Sequence, residues 1–264
     1  MSGAVNGRRQ RVHIIGCYRS GTTLLMELLW HCFEFGDRTR HETSLFDPVP
    51  EGAGLYLTKK PPDTIWIEKV FREDEDLFLI AMRRDPRAVI TSIHRNQPDK
   101  YFRSFHVWED YNRAITAMEG HPRFLVLNFE DLLRDPGATQ DRIQQAFPFL
   151  QRTGAFGDYP QGFEIDGGAN ESLNGARPFD TTRIESWRQH LPRVKAQIEQ
   201  YPQLREAVTG LGYEPDDAWL QMLDGVLPDD QQYKVKRPSW LRRLDTQRRY
   251  RRKIQRYRET RGLA

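Results

Sequence analysis

The run Val12-His13-Ile14-Ile15-Gly16-Cys17-Tyr18-Arg19-Ser20-Gly21-Thr22-Thr23-Leu24-Leu25 limits what this chain can fold into more than any other stretch. Its first residues are those of a strand buried on both faces. Two glycines then bound a short loop that opens a helix over 20–35. A strand that feeds a helix in this way is the first half of a parallel βα unit, which demands a sheet covered by helices. The glycines let main-chain N–H groups close around an anion, and the helix N-terminus adds its partial positive charge.

The loop approaches the phosphate-binding pattern G-x-x-x-x-G-K-[ST], with Thr22 where the lysine should stand. Triphosphate chemistry places that lysine on the β- and γ-phosphates. Here the cation is Arg19, inside the loop, surrounded by Ser20, Gly21, Thr22 and Thr23. The spacing predicts a cradle for an anion smaller than a triphosphate.

Downstream, further apolar runs alternate with helical periodicity. Strands are predicted at 55–58, 77–82 and 124–127, and helices at 65–71, 86–95, 101–119, 141–147, 184–201 and 204–211. The expected fold is α/β, a three-layer sandwich around a central parallel sheet, with a P-loop-like nucleotide-binding topology. Residues 1–10 read as a disordered lead, 11–226 as the α/β domain and 227–264 as a basic, helical C-terminal extension. The Gly/Asn/Asp/Pro-rich stretch 154–180 reads as an extended loop.

Net charge is only +3, but it is unevenly spread. From Lys234 to Ala264 there are 13 basic and 2 acidic residues, so the rest of the chain is acidic overall. Three roles compete for that tail: packing on the body, contact with an anionic membrane surface or anionic acceptor, and nucleic-acid binding. The acidic body, able to hold the tail intramolecularly, favours the first, and nucleic acid is the least favoured. Two cysteines cannot build a disulfide framework, no Cys/His cluster has metal-ligand spacing, and no apolar run reaches the ~20 residues of a membrane span. The expected location is cytoplasmic, peripheral to a membrane if the tail binds one.

A second anion motif is Met82-Arg83-Arg84-Asp85-Pro86-Arg87, followed by Ser92. A buried strand ends at Arg84, and a helix over 86–95 would carry Ser92 two turns along, where both side chains could hold one anion. Two anion sites at the C-terminal edge of one sheet suit a nucleotide charged at two positions.

The chain at this point resembles the sulfotransferases that use 3′-phosphoadenosine 5′-phosphosulfate (PAPS). Gly16–Leu25 is similar to their 5′-phosphosulfate loop and Arg84…Ser92 to their 3′-phosphate motif. Asn128-Phe129-Glu130-Asp131-Leu132, Ser186-Trp187-Arg188 and Leu211-Gly212-Tyr213 follow in the family's order. The resemblance implies PAPS as co-substrate, no metal, and a hydroxyl-bearing acceptor (sugar, glycolipid or phenol), with carbohydrate or glycolipid preferred. It also implies Glu42 as general base, Arg19 and Lys59 (in a register shared with Lys60) at the transferring group, and Arg183, Ser186 and Trp187 over the nucleotide. Ser44 stands where tyrosylprotein-type members carry arginine, which argues against a peptidyl-tyrosine acceptor. Glu130 and Asp131 are expected to cap the helix that follows them, and Trp187 also suits the core. A P-loop nucleotide or small-molecule kinase and a non-catalytic nucleotide- or anion-binding protein acting through the basic tail are the alternatives.

Overall fold

The apolar runs become the middle of a sheet. In the computed structural model, which describes residues 9–39, 42–94, 97–161, 173, 178–229, 231 and 240–263, β1 (Arg11–Gly16) is buried along its whole length. It pairs in parallel with β3 (Tyr56–Lys59) on one side and β4 (Leu77–Arg83) on the other. A short β2 (Asp37–Arg38) and β7 (Phe124–Asn128) complete a five-stranded parallel sheet in the order β2-β3-β1-β4-β7. Strand periodicity sends alternate residues to opposite faces. Val12 and Ile14 therefore join a cluster with Leu25, Leu29, Leu132 and Ile143, while Ile15 joins Leu45, Phe71, Ile115 and Tyr257.

Those clusters define the two outer layers. On one face lie α1 (Thr22–Cys32), α5 (Phe129–Arg134) and α6 (Pro136–Ala146). On the other lie α2 (Glu68–Phe71), the end of α4 (Phe105–Thr116) and α9 (Trp240–Arg261). A third cluster, including Val89, Trp108, Trp187, Val194, Leu204 and Trp219, ties α3 (Pro86–Ile90) and α4 to α7 (Leu191–Gln200) and α8 (Gln203–Gly210). The three-layer α/β architecture expected from the strand–helix alternation is present.

Several boundaries differ from the expectation. The helix expected over 86–95 stops at Ile90. The Thr91 hydroxyl donates to the Arg87 carbonyl at 2.7 Å, and Phe102 N–H donates to the Ser92 carbonyl at 2.8 Å. The chain turns into an antiparallel pair, β5 (Ile93–His94) with β6 (Gln97–Tyr101), which also removes the start of the helix expected over 101–119. The 65–71 helix is a 3-10 turn over Pro61–Ile65 followed by α2, and the start of the segment expected over 184–201 is a 3-10 turn over Ser186–His190. Of the extended loop over 154–180, Phe156–Gln161 forms a 3-10 turn, and most of the rest lies outside the described residues. Residues 1–8 of the expected lead also lie outside them, whereas the Arg9 guanidinium donates to the carbonyls of Gly54, Pro50 and Ala53.

The basic C-terminal helix belongs to the second layer. Ile254 and Tyr257 are buried in its core, and Tyr250 stacks on Trp66 at 4.5 Å. Arg261 forms a bidentate pair with the buried Asp74 at 2.9 and 3.1 Å, and the Tyr257 hydroxyl donates to the same carboxylate at 2.5 Å. Arg258 pairs with Glu73 and Lys253 with Asp47. Opposite charges of tail and body meet here, as the composition suggested.

Candidate functional site

At the C-terminal edge of the sheet the β1–α1 loop shapes an anion cradle. Gly21 is the N-cap of α1 with φ 91°; no side chain caps the helix and no acidic residue sits in its first turn. The first N–H groups of α1 therefore point out of the helix without an intrahelical acceptor. A Cβ on Gly21 would come within 2.3 Å of the Phe129 ring, so the loop's close approach to α5 requires glycine. Ser20 is buried and its hydroxyl donates to the Cys17 carbonyl at 2.7 Å, closing the turn. Burial pushes the Cys17 thiol up to about 12, which leaves it protonated and inert.

Arg19 holds a left-handed conformation (φ 67°) that only this turn explains, and its Nε donates to Ser92 Oγ at 2.8 Å. Arg84, arriving from the end of β4, donates through Nη1 to the Arg19 main-chain carbonyl at 2.8 Å and lies over the Phe129 ring at 4.4 Å. The two anion motifs are thus joined, but through Arg19: Ser92 sits two residues past the end of α3 and is hydrogen-bonded to Arg19, not to Arg84. Arg84 Nε is buried with no hydrogen-bond partner. Desolvation lowers the Arg84 pKa to about 10, with Glu130 opposing and Arg19 and Arg183 adding to the fall. Desolvation and Arg183 lower that of Arg19 too.

These groups face a cavity of about 600 Å³. Tyr18, Arg19, Gly21, Thr22 and Thr23 line it from the loop, Arg84 from β4, and Arg183 and Asp180 from the far wall. Phe102, Phe129, Tyr159 and Phe179 supply aromatic surface, and Arg103 covers Tyr18 and Phe102 at 4.4 and 3.9 Å. That volume falls within the range of small-molecule sites.

Glu42 lines the same cavity, tethered to the loop through Lys59. Lys59 Nζ donates to Thr23 Oγ1 at 2.9 Å and to Glu42 Oε1 at 3.2 Å, while Lys60 Nζ lies 3.6 Å from the other Glu42 oxygen. Lys59 is 9% exposed in its side chain and Lys60 31%, so Lys59 is the buried member of the pair. The backbone after Glu42 is anchored by Thr43 N–H donating to the Lys59 carbonyl at 3.2 Å. Ser44 Oγ and Leu45 N–H both donate to Asp63, at 3.0 and 2.6 Å. Burial pushes Asp63 up to about 6 against those hydrogen bonds, and burial beside Arg11 holds His13, 3.6 Å away, well below the usual imidazole value.

Among the residues singled out from the sequence, Arg19, Gly21, Thr22, Thr23, Glu42, Arg84 and Arg183 converge on the cavity, with Ser20, Ser92 and Lys59 supporting them. Ser186 donates to the Arg183 carbonyl at 3.0 Å and does not line the cavity. Trp187 is 2% exposed, packed at 3.9 Å beneath the Arg87 guanidinium and edge-on to Trp219, away from the cavity lining. Arg87 is itself buried, paired to its own N-cap Asp85 and to Glu214. Glu130, expected with Asp131 to cap the helix that follows them, lies in the first turn of α5 and accepts from Asp85 N–H at 3.1 Å, bracing the turn after β4. Asp131 accepts from the Asn128 amide at 3.0 Å. Asp63 and Phe129 were not anticipated. Asp63 follows the Lys59–Lys60 pair by three residues, and Phe129 sits inside the Asn128-Phe129-Glu130-Asp131-Leu132 motif.

Among solved structures the chain is similar to a sulfotransferase domain from the curacin biosynthetic pathway, with a TM-score of 0.52 and 14% identity over 78% of this chain and 99% of that one. A sulfotransferase domain of the Synechococcus PCC 7002 olefin synthase gives 0.47 and 16%, over 69% and 89%. Mouse sulfotransferase SULT7A1 complexed with PAP gives 0.41 and 12%, over 68% and 67%. No family model and no curated protein sequence matches the chain. The first of these likenesses shows the fold: a central parallel sheet flanked by helices, in the arrangement of a sulfotransferase domain.

Proposed function

We propose that this chain, with its sulfotransferase-domain fold, moves a sulfuryl group from PAPS to an acceptor hydroxyl. The observation that carries the reading is the meeting of Arg19, Arg84 and Arg183 around the uncapped N-terminus of α1. Arg84 holds a buried, unpartnered Nε, Arg19 and Arg183 both raise the cost of its charge, and Arg183 raises that of Arg19. Such a cluster is stabilised by a bound polyanion. The absence of a loop lysine and the hydroxyl-lined cradle favour a phosphosulfate over a triphosphate.

The residues present fit that donor. The loop N–H groups, Thr22 and Thr23 would hold its 5′-phosphosulfate, and Arg84 with the Arg19–Ser92 pair its 3′-phosphate. When bound, the donor supplies sulfur already bonded to a good leaving oxygen. That S–O bond breaks as the acceptor oxygen bonds to sulfur, and the electron pair leaves with adenosine 3′,5′-bisphosphate. Glu42 takes the acceptor proton. Lys59, released from Thr23, neutralises charge on the departing oxygen. The aromatic wall of Tyr18, Phe102 and Phe179 would seat a sugar ring, a glycolipid headgroup or a phenol equally well, and carbohydrate or glycolipid is the favoured acceptor.

The test is calorimetric titration with adenosine 3′,5′-bisphosphate in metal-free buffer. Wild-type protein should bind it in the micromolar range, and Arg84→Ala and Arg19→Asn should each weaken binding at least tenfold. Asparagine is chosen at position 19 because it tolerates the left-handed backbone. Folded protein that ignores the bisphosphate but is stabilised by Mg-ATP would replace this reading with a kinase.

A further inference from the structure

The C-terminal helix has two faces with different fates. Its docked seam, formed by Tyr250, Ile254, Tyr257 and Arg261, lies against the sheet's second layer. Its first turns carry Trp240, Leu241 and Leu244, which are 69, 60 and 42% exposed. At about 100° per residue these three centre roughly a third of a turn away from the docked seam. They are therefore not the seam running past the edge of the body. Arg248, Arg251 and Arg252, all exposed, continue their side of the helix for the next two turns. Over 240–252 the chain holds six arginines against one acid, Asp245.

Orientation adds a second observation. Arg261 is fixed to Asp74 and to the Arg9 carbonyl, just before β4 and β1 begin, at the N-terminal edge of the sheet. Tyr250 stacks on Trp66, partway along the connection from the end of β3 to the start of β4. Read from Arg261 back to Trp240, the helix climbs toward the C-terminal edge of the sheet, the edge that carries the cavity.

We propose that the first half of α9 is a docking surface for an anionic lipid bilayer. Trp240, Leu241 and Leu244 enter the boundary between headgroups and acyl chains, and Arg248, Arg251 and Arg252 meet the anionic headgroups. An indole beside two leucines suits that boundary, whereas a nucleic-acid backbone offers the leucines nothing to bury against. Charge complementarity makes the surface selective for acidic lipid. Docked this way, the cavity lies at the membrane-facing end of the molecule. Resting on the sulfotransferase reading, this narrows the acceptor to a hydroxyl carried by a membrane lipid.

Co-sedimentation with vesicles tests the surface without any transfer assay. The full chain should pellet with 7:3 phosphatidylcholine/phosphatidylglycerol vesicles at least tenfold more strongly than with pure phosphatidylcholine. Leu241→Ser/Leu244→Ser should lose most of that binding, as should Arg248→Gln/Arg251→Gln/Arg252→Gln. Both variants should keep wild-type thermal stability and wild-type affinity for adenosine 3′,5′-bisphosphate, since these residues are exposed and none of them lines the cavity. Equal binding to neutral and anionic vesicles, or no binding to either, overturns the proposal. So does a dimer in sedimentation equilibrium that the leucine pair abolishes, or capture of a 30-base-pair duplex in place of vesicles. Because bisphosphate binding is read separately, loss of lipid binding and failure of the sulfotransferase reading give different results.

Discussion

The Arg84 guanidinium donates to the main-chain carbonyl of Arg19 at 2.8 Å, so the residue at the end of β4 fixes the backbone of the β1–α1 loop. One arginine shapes the cradle while the other, turned by that bond, reaches Ser92. The two anion motifs are mechanically one unit. Arg84→Lys should accordingly fail as a conservative change: lysine keeps the charge but not a planar fork able to serve both carbonyl and ligand. Adenosine 3′,5′-bisphosphate affinity should fall about 10- to 100-fold, the scale of one or two charged hydrogen bonds. Calorimetry on Arg84→Lys decides it, and affinity within threefold of wild type would show that charge alone suffices.

Glu42 is held at the cavity by backbone anchors, from Asp63 through Ser44 and Leu45 and from the Lys59 carbonyl, as well as by the Lys59 ammonium. Glu42→Gln preserves the shape and removes the proton acceptor. With any acceptor that supports turnover, kcat should fall about 10²- to 10⁴-fold. Bisphosphate affinity should stay within twofold. A kcat loss under fivefold would assign the base elsewhere.

Lys59 and Lys60 are adjacent but not equivalent. Only Lys59 bridges Thr23 and Glu42, and it is the more buried. Lys59→Ala should cost about 10²-fold or more in kcat, as removal of a preorganised charge at a leaving group does. Lys60→Ala should cost only a few-fold. Parallel steady-state kinetics on the two variants separate them, and equal losses would mean that both ammonium groups serve the donor.

Gly21 combines a φ of 91° with a Phe129 ring 2.3 Å from where a Cβ would stand. Gly21→Ala should weaken bisphosphate binding by about 1–3 kcal/mol through backbone strain alone, with the ring clash added. Adding Phe129→Ala should recover only the clash. Titration of the single and double variants measures that partition, and full recovery would place the whole cost in the side-chain contact.

How far this arrangement was legible varies with the physics behind each part. β1 and β4 were readable because strands buried on both faces are apolar throughout, and β7, at the sheet edge, was readable from its short apolar run. The stop at Ile90 was not, because Val89, Ile90, Thr91 and Ile93 are β-branched and suit a helix or a strand, and the choice is made by Ser92 pairing with the distant Phe102. That stop is why Ser92 meets Arg19 and not Arg84. Arg19, Glu42 and Arg84 were found by motif, but their cross-links were invisible because each joins residues far apart in the chain. The basic tail illustrates the same limit: its charge was plain, yet Asp74, the carboxylate that seats Arg261, lies 187 residues away.

Glu130 gives the site a pH signature in stability. Its carboxyl would ionise near 4.5 when free, and burial raises it to about 7 in the folded protein, with Asp85 adding to the rise and Arg84 opposing it. One oxygen accepts from Asp85 N–H, and the other is buried without a partner. Between those two pH values the unfolded chain has lost a proton that the folded protein still holds. The native state then binds more protons, so stability falls as pH rises through this window, and above pH 7 the full cost is present. That cost is at most about 3 kcal/mol. Glu130→Gln keeps the acceptor for Asp85 and cannot ionise, but it buries an amide donor that offsets part of the gain. The variant should be more stable than wild type by about 1–2 kcal/mol at pH 8, a rise of a few degrees in Tm. At pH 4 the difference should vanish or reverse, because wild-type Glu130 is protonated in both states there. Thermal unfolding of the two proteins from pH 4 to 8 checks this, and an offset independent of pH would trace the effect to packing and not to the buried charge.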